Sequence, residues 1–292
     1  MDFGVIFANI MFFADGPGAR TMGTSLEAAG FESVWTVEHV LIPDGYQSEY
    51  PYDKSGRMPG DGMADMPDPL IWLSYVAAHT ERLKLATGIL IVPQRNPGIL
   101  AKEVASLDRL SGGRMILGVG AGWLAEEFDA LGVPFERRGA RLDEYVAAMR
   151  ALWRDHKATF SGEFCGFTDA VSLPKPVNGT VPIVVGGHTE VAARRAGRLG
   201  DGFFPGRGTP DELRSLVALM RRTAEEAGRD PDAIEVTFGS PTVFGSDPVG
   251  ACQELADIGV TRVVIPPPSF SPDELPDACA AFGRDVIAKV NA

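Results

Sequence analysis

The chain has 292 residues, of which 45% are hydrophobic and 23% charged, and this ordinary globular composition excludes a disordered or fibrous chain. The 27 Lys and Arg residues against 39 Asp and Glu residues give a net charge of −12, spread along the chain, which argues against a nucleic-acid-binding or membrane-surface protein. The first residues lack a basic region, and Asp15, Gly16 and Pro17 interrupt their apolar run, so we expect no signal peptide, no spanning helix and a cytoplasmic location.

Short runs rich in β-branched residues alternate with longer amphipathic segments, which is typical of repeated strand–helix units around a parallel sheet. Eight strands are predicted, at Phe3–Ala8, Ser33–Thr36, Leu83–Val92, Met115–Val119, Pro182–Val185, Gly202–Phe204, Ile234–Phe238 and Arg262–Pro266. Eight helices are predicted, at Gly18–Ala29, Pro69–Thr80, Pro97–Leu110, Arg138–His156, Thr189–Leu199, Pro210–Ala227, Pro248–Ile258 and Pro272–Val290.

Glycines punctuate the change from helix to strand. They follow helices in Ala29-Gly30-Phe31 and Leu199-Gly200-Asp201, where a left-handed residue would return the chain to the next strand. This pattern also suits an open, doubly wound sheet. The count of eight units favours a (β/α)8 barrel formed by residues 1–292 as one domain, with insertions in the loops at the carboxyl ends of the strands.

The loop after the second strand begins with an ionisable pair, Glu38-His39. In a barrel this position lies on the face where chemistry occurs, so His39 is a candidate general acid or base and Glu38 a candidate orienting residue. A purely structural histidine is the alternative. The long segment Pro43–Pro67 follows and is predicted to be an active-site lid, with a solvent-exposed loop as the alternative.

The third strand contains Gly88, which weakens a strand and allows another backbone or a ligand to approach, although a bulge would explain it too. Arg95 and Asn96 follow this strand and are candidate substrate contacts, but turn chemistry alone accounts for an Asn-Pro pair.

The fourth strand ends in a Gly-x-Gly-x-Gly run that includes Gly120. Its spacing is not the dinucleotide-binding fingerprint, and we predict instead that it lets a flat ring lie against the main chain. Trp123, Glu126 and Glu127 are then expected at the rim of the ring, although the two carboxylates are equally explained as solvated surface groups.

The segment Ala158–Val181 is predicted to be a small hairpin that covers the barrel. The fifth strand then runs into a helix through Gly186, Gly187 and His188. Exposed amides at a helix N-terminus bind anions, so this turn is a candidate phosphate site, with Arg207 after the sixth strand as an added cation. A simple tight turn is the alternative.

Cys165, Cys252 and Cys279 are widely spaced and odd in number. This arrangement favours reduced structural thiols over a disulfide framework, and we predict no metal site.

In order and spacing, these motifs resemble the bacterial luciferase-like monooxygenase superfamily, and within it the branch that depends on the deazaflavin coenzyme F420. The stretches that carry the resemblance are Trp35–Pro43, Leu83–Pro97, Leu107–Phe128, Phe135–Trp153 and Pro182–Phe204.

The resemblance implies a barrel that binds F420, or alternatively FMN, with the ring at the strand ends. By the same resemblance, Glu38 and His39 meet the ring and the reacting hydrogen, and Gly88-Ile89 forms a non-proline cis peptide behind the ring. Gly120 and Glu127 flank the ring, and Gly186, Gly187 and His188 bind the phosphate. The sugar-phosphate dehydrogenases of this group have Asp-His where Glu38-His39 stands here, so sugar-phosphate oxidation is not implied.

The prediction is therefore an oxidoreductase that exchanges a hydride between F420 and a small organic substrate. The alternatives are an FMN-dependent monooxygenase that uses dioxygen and a non-catalytic flavin-binding barrel. The resemblance also admits a homodimer, although apolar helix faces are equally explained by packing on the barrel.

Overall fold

The computed structural model describes residues 1–59, 62 and 64–292. Its strands are β1 (Asp2–Ile6), β2 (Ser33–Thr36), β3 (Lys84–Thr87), β4 (Leu90–Ile91), β5 (Met115–Gly120), β6 (Ala158–Ser161), β7 (Gly166–Ala170), β8 (Ile183–Gly186), β9 (Gly202–Phe204), β10 (Glu235–Gly239) and β11 (Arg262–Ile265). Its helices are α1 (Gly16–Ala29), α2 (Pro69–Ala77), α3 (Pro97–Ser111), α4 (Ala125–Ala130), α5 (Arg138–Arg154), α6 (Glu190–Leu199), α7 (Pro210–Glu226), α8 (Pro248–Ile258), α9 (Leu275–Phe282) and α10 (Ala288–Val290).

The parallel strands close on themselves. The order of pairing is β1-β2-β3-β5-β8-β9-β10-β11, and β1 returns to pair with β11, with Val5 opposite Ile265. β4 continues β3 after a break and also pairs with β5. The predicted (β/α)8 barrel is therefore confirmed, and the open doubly wound sheet is excluded.

Two layers of apolar side chains hold the barrel together. Inside it, Trp35, Ala86, Ile116, Val184, Phe204 and Val264 form a compact buried cluster. Outside it, the strands and the surrounding helices share a larger core. Helix starts are fixed locally, since Asp15, Asp68, Asn96, Thr189 and Asp247 each cap a helix through a side-chain oxygen. Asn96 is thus a cap, in agreement with the turn-chemistry alternative.

Two predicted elements differ from the observed ones, and one observed helix was not predicted. The third predicted strand is broken at Gly88–Ile89, where the peptide bond is cis. The last predicted helix is divided by a π-helical turn over Gly283–Ile287. Helix α4, which begins at Ala125 shortly after the end of β5, was not predicted.

Gly200 does not adopt the left-handed conformation expected from its place after a helix. Its φ is −81°, whereas Gly30 and Gly259 after α1 and α8 are left-handed as predicted. Glycine is nevertheless needed at position 200, because a Cβ atom there would lie 2.8 Å from the carbonyl oxygen of Gly202.

The predicted hairpin in Ala158–Val181 is confirmed. β6 and β7 pair antiparallel, and the rings of Phe160 and Phe167 stack with centroids 5.9 Å apart.

Candidate active site

His39 lies just beyond the carboxyl end of β2, with only 10% of its side chain exposed. Its Nδ1 atom is 3.1 Å from Oε2 of Glu127, in the first turn of α4. An ionised carboxylate only accepts hydrogen bonds, so Nδ1 carries the proton of this bond and Nε2 is left for other chemistry. The ring also meets Trp123 edge to face, with centroids 5.7 Å apart.

Glu127 fixes both His39 and the chain that follows it. Its Oε1 atom accepts hydrogen bonds from the backbone N–H groups of Val40, at 2.6 Å, and Leu41, at 3.2 Å. Burial alone raises the pKa of Glu127, but the hydrogen bond from His39, the charge of His39 and the backbone donors hold it below its ordinary value. Glu127 is therefore an anion that holds the imidazole in one orientation.

Glu38 does not orient His39, and that expectation is wrong. The Glu38 side chain is buried, pairs with Arg95, and accepts a 2.6 Å hydrogen bond from the backbone N–H of Ile91. Arg95 also bonds to Asp68, at 2.8 Å. Successive side chains of an extended segment point in opposite directions, which separates Glu38 from its neighbour. Burial raises the pKa of Glu38, whereas the ion pair with Arg95 acts in the opposite sense.

Arg95, a candidate substrate contact in the sequence, is thus occupied by two carboxylates. Next to it, the buried amide of Gln94 is close enough to Glu127 to help lower the pKa of that carboxyl, but neither its nitrogen nor its oxygen makes a hydrogen bond of normal geometry among the described residues. Sequence reasoning did not single out Gln94, because nothing in its local pattern distinguishes it from other turn residues.

The cis peptide between Gly88 and Ile89 is present, as the resemblance implied. The side chain of Ile89 lies between two glycines of neighbouring strands. A Cβ atom would come 1.8 Å from Cδ1 of Ile89 at Gly120 and 2.7 Å from its Cγ2 at Gly186. The expectation that Gly120 lies bare against a ring therefore needs correction, since a side chain of the protein already fills the space beside it.

The turn after β8, the candidate phosphate site, has its Gly187 amide already engaged and offers side-chain groups instead. Gly187 has a φ of +125° and donates its N–H to the carbonyl oxygen of Phe204, at 3.0 Å. Arg207 donates through Nε to Nε2 of His188, at 3.3 Å. Burial lowers the pKa of His188, and the charge of Arg207 lowers it further, so the ring tends to be neutral. The Nδ1 atom of His188 is buried and has no partner in the part of the chain that the structure describes.

The long loop after β2 folds against α4 over much of its length. Oε1 of Glu126 accepts hydrogen bonds from the backbone N–H groups of Gln47, at 2.7 Å, and Ser48, at 3.1 Å, and the Ser48 hydroxyl donates to Oε2 at 2.7 Å. Tyr46 and Tyr50 pack on Trp123, with ring centroids 5.5 and 5.2 Å away. Gly60, Asp61 and Met63, which belong to the predicted lid, lie outside the described residues.

A line of aromatic rings crosses the mouth of the barrel. It runs from His39 to Trp123, then to Tyr50, Tyr52 and His188. Each step is between 5.2 and 5.7 Å. The loop therefore connects the predicted reacting end of the site with the predicted phosphate end.

No group of three or more His, Cys, Asp or Glu residues in the described part of the chain is placed to hold a metal ion. No helix in the same ranges is long and apolar enough to cross a membrane.

Eight parallel strands closed into a barrel define a (β/α)8-barrel enzyme, and the His39–Glu127 pair lies at the carboxyl ends of these strands. The chain belongs to the luciferase-like monooxygenase family, whose sequence profile matches residues 17–265. The family predicted from the sequence is thus confirmed.

Two relatives illustrate this membership, and one solved structure shares the fold. An uncharacterized protein of Mycobacterium tuberculosis is 34% identical over 277 residues, or 92% of this chain and 94% of the relative. The F420-dependent glucose-6-phosphate dehydrogenase of Kineococcus radiotolerans is 35% identical over 233 residues, or 78% of this chain and 64% of the relative. The F420-dependent tetrahydromethanopterin reductase of Methanopyrus kandleri superposes with a TM-score of 0.76 at 19% identity, over 99% of each chain.

Proposed function

We propose that this protein is an oxidoreductase that transfers a hydride between coenzyme F420 and a small organic substrate. The observation that carries the proposal is the His39–Glu127 pair at the strand ends, which a line of aromatic rings connects with His188. The name of the Kineococcus relative supports F420 as the cofactor.

The residues of the site fit a cofactor with a polar ring and an anionic tail. The buried amide of Gln94 and Nδ1 of His188 make no hydrogen bond of normal geometry among the described residues, and a bound polar group would supply one. At the Gly186–Gly187 turn, the unpartnered Nδ1 of His188 and the guanidinium of Arg207 would hold the phosphate, while Gly88 and Ile89 would support the ring. The bound deazaflavin supplies the site at which a hydride is gained or given up.

Proton transfer to or from the substrate is assigned to residues of the chain itself. Glu127 holds Nδ1 of His39, so Nε2 is the atom that gives a proton to the substrate oxygen or takes one from it. The negative charge of Glu127 stabilises the imidazolium that forms when His39 takes a proton. Glu38 is buried against Arg95 and accepts the backbone N–H of Ile91, so it holds that segment in place and does not exchange a proton with His39.

The first experiment concerns the cofactor. Cofactor-free protein is titrated separately with F420 and with FMN, and we expect binding of F420 that FMN does not displace. Tight binding of FMN with none of F420 would contradict the proposal. It would favour the FMN-dependent monooxygenase, an alternative supported by the description of the family.

The second experiment concerns His39. Once a substrate is found, His39→Ala is expected to lower kcat by about 10²- to 10⁴-fold, the usual contribution of a general acid or base, while the Kd for F420 changes little. His156→Ala, at an exposed turn before β6, is the matched control and should change neither. Full turnover by His39→Ala with normal F420 binding would exclude the assigned role and leave a binding role for the site.

A further inference from the structure

Charge is divided unevenly around the mouth of the barrel. The loops after β8 and β9 carry His188 and Arg207. The loops after β1, β10 and β11, residues 7–15, 240–247 and 266–274, contain no Lys, Arg or His. Their ionisable side chains are all carboxylates. One half of the rim thus has the cations for a phosphate, and the other half has none.

The half without cations is apolar. Phe7, Met11 and Phe12 in the loop after β1 are 39%, 46% and 60% exposed. Phe270, in the loop after β11, is 39% exposed. Large apolar side chains exposed close together in one loop, as in residues 7–12, mark a surface that receives an apolar ligand or partner.

A groove of about 830 Å³ lies in this half. Its apolar lining includes Met11, Phe12, Met66 and Pro67, and its ionisable lining consists of Asp15, Asp65 and Asp273. The volume is in the range of sites for small molecules. A phosphorylated ligand would meet three carboxylates here and no cation among the described lining residues.

The groove is tied to the segment that carries His39. Asn9, which is fully buried, donates to the carbonyl oxygens of Val37, at 2.9 Å, and Pro67, at 3.2 Å. It also accepts from the backbone N–H of Val37, at 2.8 Å. One side chain therefore fixes the groove wall at Pro67 relative to the start of the loop that contains His39.

Three arginines elsewhere around the mouth are already engaged or assigned. Arg95 is paired with Glu38 and Asp68. Arg57 lies over the ring of Tyr46, 5.0 Å from its centroid, and donates to the Tyr46 carbonyl oxygen. Arg207 lies at the turn that we assign to the cofactor phosphate.

From the lining of the groove, which is apolar and has carboxylates as its ionisable groups, we infer that the substrate is an uncharged molecule with an apolar body that binds at the Met11–Phe12 groove, and that phosphorylated substrates are rejected. The inference rests on the proposed function and narrows its substrate class. It also separates this chain from its Kineococcus relative, which is named for a phosphorylated sugar.

The test uses two probes with the same apolar body, 2-naphthol and 2-naphthyl phosphate. Binding of each to F420-loaded protein is measured by equilibrium dialysis at neutral pH. We expect the uncharged probe to bind at least about tenfold more tightly, which corresponds to about 1.4 kcal/mol. Equal or tighter binding of the phosphate, or no binding of 2-naphthol, would overturn the inference.

A variant that adds a positive charge to the groove should shift the preference toward the phosphorylated probe. Phe12→Arg adds a cation to the groove at a side chain that is 60% exposed, so the fold should tolerate it. The variant is expected to bind 2-naphthol more weakly and 2-naphthyl phosphate more tightly, each by about fivefold or more. Leu110→Arg, at the 83% exposed end of α3, is the control and should change neither affinity. An unchanged preference in Phe12→Arg would overturn the assignment of the groove.

Two further outcomes are distinguishable. If the protein does not load F420, the proposed function fails, and dialysis of the FMN-loaded or cofactor-free protein still decides the preference between the probes. If Phe12→Arg alters the oligomeric state by size-exclusion chromatography and leaves probe binding unchanged, the groove is a contact between copies and the inference is overturned.

Discussion

At the scale of single residues, the glycines around Ile89 show that a sequence pattern can locate a close approach without revealing which group makes it. The run of glycines after the fourth predicted strand indicated a close approach, and a close approach is present. Its occupant is Ile89, which comes from the neighbouring broken strand. A pattern within one strand cannot tell which side chain of another strand fills the space.

Gly120→Ala should therefore destabilise the protein. The added Cβ would lie 1.8 Å from Cδ1 of Ile89, so the Ile89 side chain must leave its place between the strands, and overpacking of this kind costs about 1–3 kcal/mol. Gly239→Ala, also at the last residue of a barrel strand, is the control, because its Cβ would lie 3.4 Å from the nearest atom. The free energies of unfolding in urea give the comparison. Equal losses in both variants would contradict the explanation.

Local sequence patterns could not predict the pairing of His39 with Glu127. The residues are 88 positions apart, and the adjacent Glu38 was the nearer acidic candidate. Glu127 was predicted at the site, but as a neighbour of the ring. Only the short helix α4 brings its carboxylate to His39.

At the scale of elements, α4 determines how the long loop is held. Its six residues were too few to give a helical pattern in the sequence, whereas the hairpin β6–β7 was predicted because its aromatic residues and flanking turns lie close together in the chain. The first turn of α4 carries Glu126 and Glu127, and both accept backbone N–H groups of the loop.

Glu126→Ala is expected to loosen the distal part of the loop. Removing the acceptor leaves the N–H groups of Gln47 and Ser48 without their partner, and tryptic cleavage after Lys54 or Arg57 should become several-fold faster. Glu136→Ala, an exposed carboxylate that follows α4, is the control. Cleavage rates followed by mass spectrometry decide the matter, and similar rates in both variants would show that Glu126 does not restrain the loop.

At the scale of the whole molecule, the count of eight strand–helix units was enough to predict closure, but the pairs that close the barrel are visible only in the structure. Arg262 on β11 is fully buried and contacts Glu32 before β2 and Glu235 on β10, at 2.9 and 3.0 Å. It thus connects the ends of the chain across the seam where β1 meets β11. Ion pairs between residues 230 positions apart leave no local sequence signal.

This network makes stability depend on pH. Burial raises the pKa of Glu32, but the hydrogen bonds and charge of Arg262 and Lys84 dominate and lower it from 4.5 to about 2. A lowered folded-state pKa adds stability that is complete above the unfolded value and disappears as the pH falls from about 4.5 to 2. The shift corresponds to about 3 kcal/mol.

Glu32→Gln should therefore reduce the loss of stability between pH 5 and pH 2.5, measured by urea unfolding at several pH values. It should also be less stable than the parent protein at pH 7, because Arg262 loses a buried partner. Glu49→Gln in the long loop is the control and should follow the parent curve. A parent-like pH dependence in Glu32→Gln would assign the acid sensitivity to other carboxylates.

The two adjacent carboxylates of α4 also have a consequence for how such a protein changes during evolution. Glu127 holds residues 40 and 41 beside His39, and Glu126 separately holds residues 47 and 48 further along. The chain beyond residue 48 can therefore acquire substitutions, insertions or a new shape without moving the imidazole. The hydrogen bonds that position His39 and those that hold the outer part of the loop can therefore be altered separately by substitution.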